Sequence, residues 1–248
     1  MVTETKMNFR TRCIRCGTCC MKGGPTLHEE DRILFANGVL HKNEIYTLRK
    51  GEIVRNIDDT LIVLDKEMIK IKGQRKSWAC MFYDDTERAC TIYENRPAEC
   101  RALKCWEDPK QFKKVMARPH LQRKDLIKSD DGILKIIEAH EQKCSYTALR
   151  SAVKDLGGPH PEKAVEKILD LIQYDYYLRP LLEERFNIDP NEMDFFFGRP
   201  LTTTIIMFGL CIRKKGDTFV LAPAESSTDA QHSSRQSLKS SGRRLSSL

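Results

Sequence analysis

Residues 13–20 read CIRCGTCC, and residues 80–105 read CMFYDDTERACTIYENRPAECRALKC. These two stretches hold eight of the ten cysteines in the 248-residue chain: Cys13, Cys16, Cys19, Cys20, Cys80, Cys90, Cys100 and Cys105. Scattered core thiols do not group in this way, so cysteine chemistry is the first question. The rest of the composition is ordinary. Hydrophobic residues make up 40% and charged residues 31%, which describes a folded chain rather than a disordered or collagenous one.

The compartment decides what clustered thiols can do. The opening residues, MVTETKMNFRTRC, have no apolar stretch after a basic start, so no secretory leader is expected. No apolar run reaches the roughly 18 residues of a membrane helix, and the longest lies at 205–212. A cytoplasmic chain with reduced thiols is therefore expected, and clustered cysteines there bind metal or do redox work. The net charge is +7. Basic and acidic residues are interleaved throughout, without the patch or stripe that nucleic acid needs, so nucleic-acid binding is not expected.

The first group has the spacing C-x2-C-x2-C-C, and the second is spaced x9, x9 and x4. Thiolates two residues apart can wrap around one ion, and Gly17 tolerates the tight backbone this needs. Zinc takes four such ligands. Iron–sulfur clusters also take four, and C-x2-C-x2-C is a ferredoxin-like spacing. Neighbouring side chains tend to diverge, so Cys19 and Cys20 are not expected to serve one ion together. The first group is then incomplete, and the second should supply the missing ligands. Eight thiols allow two four-ligand sites, or one site with spare redox-active thiols. Arg12, Arg15, Arg96, Arg101 and Lys104 flank the cysteines and would favour thiolates.

Outside the cysteines the pattern predicts an α+β chain. Thr26 with Glu29 reads as a capping box for a helix over 27–36. A second short helix is expected at 44–50, ending at Gly51. Alternation from Ile53 to Lys72 predicts short antiparallel strands. Ile133, Ile137, His140, Cys144, Ala148 and Ala152 recur at helical spacing up to Gly157. Pro161 suits the first turn of the next helix, which Pro180 should kink or end. Residues 202–221 predict a β-hairpin turning at Lys214–Asp217. A Ser-rich tail with almost no apolar residues follows Pro223 and is expected to be disordered. The expected divisions are a cysteine-cluster domain (8–106), a helical region (107–200), the hairpin (201–223) and the tail (224–248).

The motifs C-x2-C-G-x-C-C, Cys90-x-Ile92-Tyr93 and Arg96-Pro97-x2-Cys100-Arg101, in this order, resemble the CxxCxxCC cysteine-cluster family. The resemblance covers about residues 8–106. It implies a zinc- or iron-chelating domain, with the metal role carried by Cys13, Cys16, Cys19, Cys20, Cys80, Cys90 and Cys100, and Cys105 as a further candidate. A similar block occurs in flagellin lysine N-methylases, but no glycine-rich cofactor loop and no C-x3-C-x2-C spacing is present here.

The leading expectation is a protein whose partner is a metal ion or cluster, iron as an iron–sulfur cluster or zinc, with a redox role if the centre is redox-active. One alternative is a zinc-stabilised interaction module without catalysis. Another is a group-transfer enzyme related to the methylases. No general base or nucleophile with a positioned partner is legible, which leaves enzymatic activity open. Cys144 and Cys211 read as buried structural thiols, His140 as a core histidine, and His28 as a helix-surface residue. Tyr93 reads either as a packed aromatic or as a group near the metal.

Overall fold

The computed structural model describes residues 11–56, 60–74, 77–107, 109–128, 132–216 and 218–224. The expected tail lies, from residue 225 on, outside the described residues. The chain is α+β: helices of varied length accompany two-stranded antiparallel ribbons.

The cysteine-bearing half is built from short pieces. Helix α1 (Arg32–Ala36) follows a 3-10 turn at Glu29–Asp31. Its N-cap box pairs His28 with Asp31, not Thr26 with Glu29 as expected. The aspartate three residues after His28 accepts from the His28 backbone N–H at 3.0 Å, which outcompetes the Thr26 option. The stretch expected to be a helix at 44–50 is instead strand β1 (Ile45–Leu48). Strands β2 (Ile53–Arg55) and β3 (Leu61–Val63) form a ribbon, and β4 (Met68–Ile71) pairs back onto β1. The register sets Ile45 opposite Ile71 and Thr47 opposite Ile69. All four side chains are buried, so β-branched residues packed on a pleated face outweigh the local helical reading. The β5 (Tyr83–Asp84) and β6 (Ala89–Cys90) hairpin and helix α2 (Ala98–Ala102) complete this half.

Helices α3 (Lys110–Met116) and α4 (Arg123–Leu126) lead into α5 (Ile133–Lys143) and α6 (Tyr146–Asp155). The single periodic helix expected across 133–152 is two, because Ser145 caps α6 by accepting from the Ala148 N–H at 3.2 Å. Helix α7 (Pro161–Phe186) starts with Pro161 in its first turn and runs through Pro180. Pro180 is exposed, so the carbonyl it leaves unpaired can bond water, and the helix does not end there. Helix α8 (Met193–Phe197) buries all three phenylalanines. The hairpin is present as β7 (Leu210–Lys215) and β8 (Thr218–Pro223), but 201–208 is helical, beginning with α9 (Leu201–Thr204). Gly209 (φ 72°) makes the turn between them.

Two apolar cores result. One joins Leu27, Ile45, Ile69, Phe82 and Tyr83 to Ile137 and the α8 phenylalanines. The other lies among α6, α7, α9 and β8, around Leu149, Ile168, Ile172, Leu201 and Phe219. A buried polar knot links them. The fully buried Arg49 donates from Nε to Glu141 (2.9 Å) and from Nη2 to the Cys144 carbonyl (2.6 Å). Arg123 bridges Glu67 and Glu141. Asp175 accepts from the Leu201 N–H at 2.8 Å and pairs with His140 and Arg179. A buried arginine is tolerable only with such partners.

Candidate metal centre

The two cysteine groups meet. The Cys80 N–H donates to the Cys20 carbonyl at 2.7 Å, which stitches the end of the first group to the start of the second. Gly17 sits against Tyr83, and a Cβ there would lie 2.3 Å from the Tyr83 hydroxyl oxygen. With φ at 75° as well, this position needs glycine for both its conformation and its close approach. Strand pairing places Tyr83 opposite Cys90. One loop, one ribbon and helix α2 thus face a common space.

Cys19 and Cys20 do not diverge as expected: their sulfurs are 4.0 Å apart. Both lie at the start of a tight 3-10 turn, with Cys19 in the helical region (φ −72°, ψ −39°). A Cys20 thiol donating to Cys19 lowers Cys19 to about 6 and raises Cys20. Burial raises Cys80 to about 11, and it also raises Cys90 and Cys100. In each of these groups, charge on neighbouring cysteines adds to the shift. Cys19 acts on Cys80, Cys90 and Cys100, while Cys80 and Cys90 act on Cys20 and Cys100. These five thiols therefore form one electrostatic cluster. A protein alone cannot hold several thiolates so close, whereas a bound cation stabilises them together. Arg96 lowers Cys19 and Cys90, and Lys70 lowers Cys80.

The remaining predicted ligands sit differently. Cys13 is half-buried, and its sulfur accepts from the Arg15 N–H at 3.3 Å. The half-buried Cys16 lies 3.4 Å from the Thr18 hydroxyl. Cys105 is exposed in the turn after α2 and shares no hydrogen bond with the five. None of the ten cysteines is paired in a disulfide. Among the described residues, no three Cys, His, Asp or Glu side chains already stand at ligand spacing. The donor set fits a thiolate-bound ion in its chemistry and its convergence, and binding would draw the sulfurs inward.

Behind the cysteines lies a polar layer that the sequence did not disclose. His28 is buried, not on a helix surface. Its Nε2 lies 3.3 Å from Glu99 Oε1, and Glu99 Oε2 accepts from the Thr26 N–H at 2.8 Å. Asp31 Oδ1 accepts from the Ala98 N–H at 2.8 Å. Burial pulls the His28 imidazole down, but the hydrogen bond and charge of Glu99 outweigh it and leave its pKa raised. Burial raises Asp31. The layer anchors α2, and so Cys100, to the segment before α1. The only sequence signal was Glu99 standing beside Cys100. Of the two thiols read as structural, Cys144 is buried and donates to the Leu171 carbonyl, while Cys211 is only half-buried in a two-stranded ribbon with one open face. His140 is a core histidine, 2.8 Å from Asp175.

Among the described residues no helix is long and apolar enough to cross a membrane. None of the curated proteins and none of the solved structures matches the chain. A family model does, over residues 12–145, more than half the chain and both cysteine groups: CxxCxxCC, described as "Putative zinc- or iron-chelating domain". On that match, the chain belongs to the CxxCxxCC family.

Proposed function

We propose that the protein binds iron, as an iron–sulfur cluster, or zinc through the thiols of both cysteine groups, and that it works in the cytoplasm. Cys19, Cys20, Cys80, Cys90 and Cys100 would form the heart of the site. Cys13 and Cys16 would stand at its rim, with Cys105 in reserve outside it. Residues 8–106 would then be the working unit, and the helices and hairpin after 107 its support. The observation that carries the reading is the meeting of the two groups, with the Cys80 N–H on the Cys20 carbonyl and five thiols acting on one another. A bound cluster would supply one-electron redox chemistry, and a zinc ion would supply folding energy.

The residues themselves would do three things. Arg96 and Lys70 would offset thiolate charge. Gly17 and Tyr83 would hold the first loop against the ribbon. The Glu99–His28 layer would fix α2. The ferredoxin-like C-x2-C-x2-C spacing of Cys13, Cys16 and Cys19 favours a cluster, and thiols beyond the four that either centre takes would let ligands exchange. Purification without air, followed by measurement of iron, zinc, acid-labile sulfide and the visible spectrum, tests the proposal. Stoichiometric iron with sulfide and a brown colour is the expected result. Colourless protein with one zinc would move the reading to a structural centre, and protein with neither metal would end it.

A further inference from the structure

Next to Cys13 the surface opens into a cavity of about 540 Å³, lined by Arg12, Cys13, Ile14, Arg15 and Tyr93. The Tyr93 ring carries two guanidinium groups. Arg96 Cζ lies 3.6 Å from the ring centroid, and Arg15 Cζ lies 4.7 Å from it. Among the described residues neither arginine pairs with a carboxylate. Arg96 Nε donates to the Tyr93 carbonyl, and the Arg15 N–H donates to Cys13. Arg15 also has φ at 55°, a conformation that residues other than Gly, Asn and Asp adopt rarely. Arg15 lines the cavity while Arg96 stands on the same ring outside its lining, and two like charges on one ring form an arrangement that an anion would relieve.

We propose that this arginine–tyrosine clamp receives a small polycarboxylate of the citrate type, which brings the metal as an anionic chelate to the cysteines. The proposal rests on the thiolate-metal reading above. Guanidinium forks pair with carboxylates through parallel hydrogen bonds, and an open cavity of this volume accommodates several carboxylates. The cavity borders Cys13, so the clamp places positive charge where an anionic chelate would approach the cysteines. Transfer is ligand exchange. Metal–carboxylate bonds break, metal–thiolate bonds form, and each thiol proton leaves to the freed carboxylate or to water. No electrons change hands.

Titration calorimetry on the full-length, metal-free chain with citrate and with inorganic phosphate tests the clamp. Wild type should bind citrate, with R15Q and R96Q each about tenfold weaker and the double variant showing no binding. R15K and R96K keep the charge without the fork and should fall between, which separates recognition from misfolding. Equal citrate binding by wild type and the double variant would overturn the proposal. So would phosphate binding as tight as citrate, since that describes a general oxyanion patch. Zinc uptake is then compared from zinc citrate and from free zinc. The ratio of the two rates should fall about tenfold in the double variant, and an unchanged ratio would overturn delivery by the chelate. Wild type that takes up zinc from neither source would defeat the thiolate reading, while the citrate titration would still report on the arginines.

Discussion

The cysteine loops and the helical end solve the same problem of buried polar groups in opposite ways. At the helical end the buried Asp175 has been given its partners. Asp175 meets His140, Arg179 and the Leu201 N–H. Burial lowers the His140 pKa, whereas burial pushes Asp175 up and those partners outweigh it and bring it to about 2. Around the cysteines the thiols repel one another's charge, and burial holds Cys80, Cys90 and Cys100 up. The buried carboxylate of one end is satisfied without a metal, and under the proposed function the thiols of the other would be met by a cation. That contrast separates support from site.

The contrast can be broken first with a chelator. Apparent binding energies for thiolate zinc in small folded modules are on the order of 10 kcal/mol. Stripping metal should therefore remove hydrogen-exchange protection from residues 13–23 and 80–105, and leave the helices at 146–186 protected. Uniform loss across both ends would refute the division.

The next largest effect is expected at the helical end. Asp175→Ala strands His140, the Arg179 pair and the Leu201 N–H in the interior, so it should cost about 3–5 kcal/mol in denaturant unfolding. Metal content per folded chain should stay the same.

Acid should sharpen the comparison by sign. Asp175 at about 2, against 3.8 unfolded, contributes about 2 kcal/mol. That contribution is present above 3.8 and lost as the pH falls toward 2. His140, also lowered, loses its contribution as the pH falls below 6.5. His28 and Asp31 are raised, so theirs is present at low pH and lost as the pH rises through their folded values. In metal-free protein, exchange corrected for intrinsic rate should show the helical end loosening between pH 7 and 5 while the His28 segment tightens. Parallel behaviour at both ends would contradict these assignments.

The smallest effect concerns the joint between α5 and α6. Ser145→Ala removes the cap on Ala148 and should cost about 1 kcal/mol, read as a lowered thermal midpoint with no change in metal content.

Legibility in the sequence followed the same divide. Pro161 at a helix start and the apolar stripe of α7 are local signals, and both led to the helix observed; the grouped cysteines led to the family that matches. Strand β1 was misread because its partner, β4, lies over 20 residues away. Only that pairing turns IYTL into a strand. The α5–α6 break depends on one serine hydroxyl within a continuous apolar period. The Glu99–His28 contact spans 71 residues, and neither residue type marks it in the chain. The convergence of Cys19 and Cys20 also escaped, because it depends on a tight turn whose geometry the spacing does not specify.

The central claim is that both cysteine groups serve one metal centre. Metal-to-protein stoichiometry of air-free full-length protein, measured for C20S, C90S and C211S beside wild type, addresses it most directly. C20S and C90S should both lose the metal although they lie in different groups, and C211S should keep it. Full metal occupancy in either C20S or C90S would contradict the account.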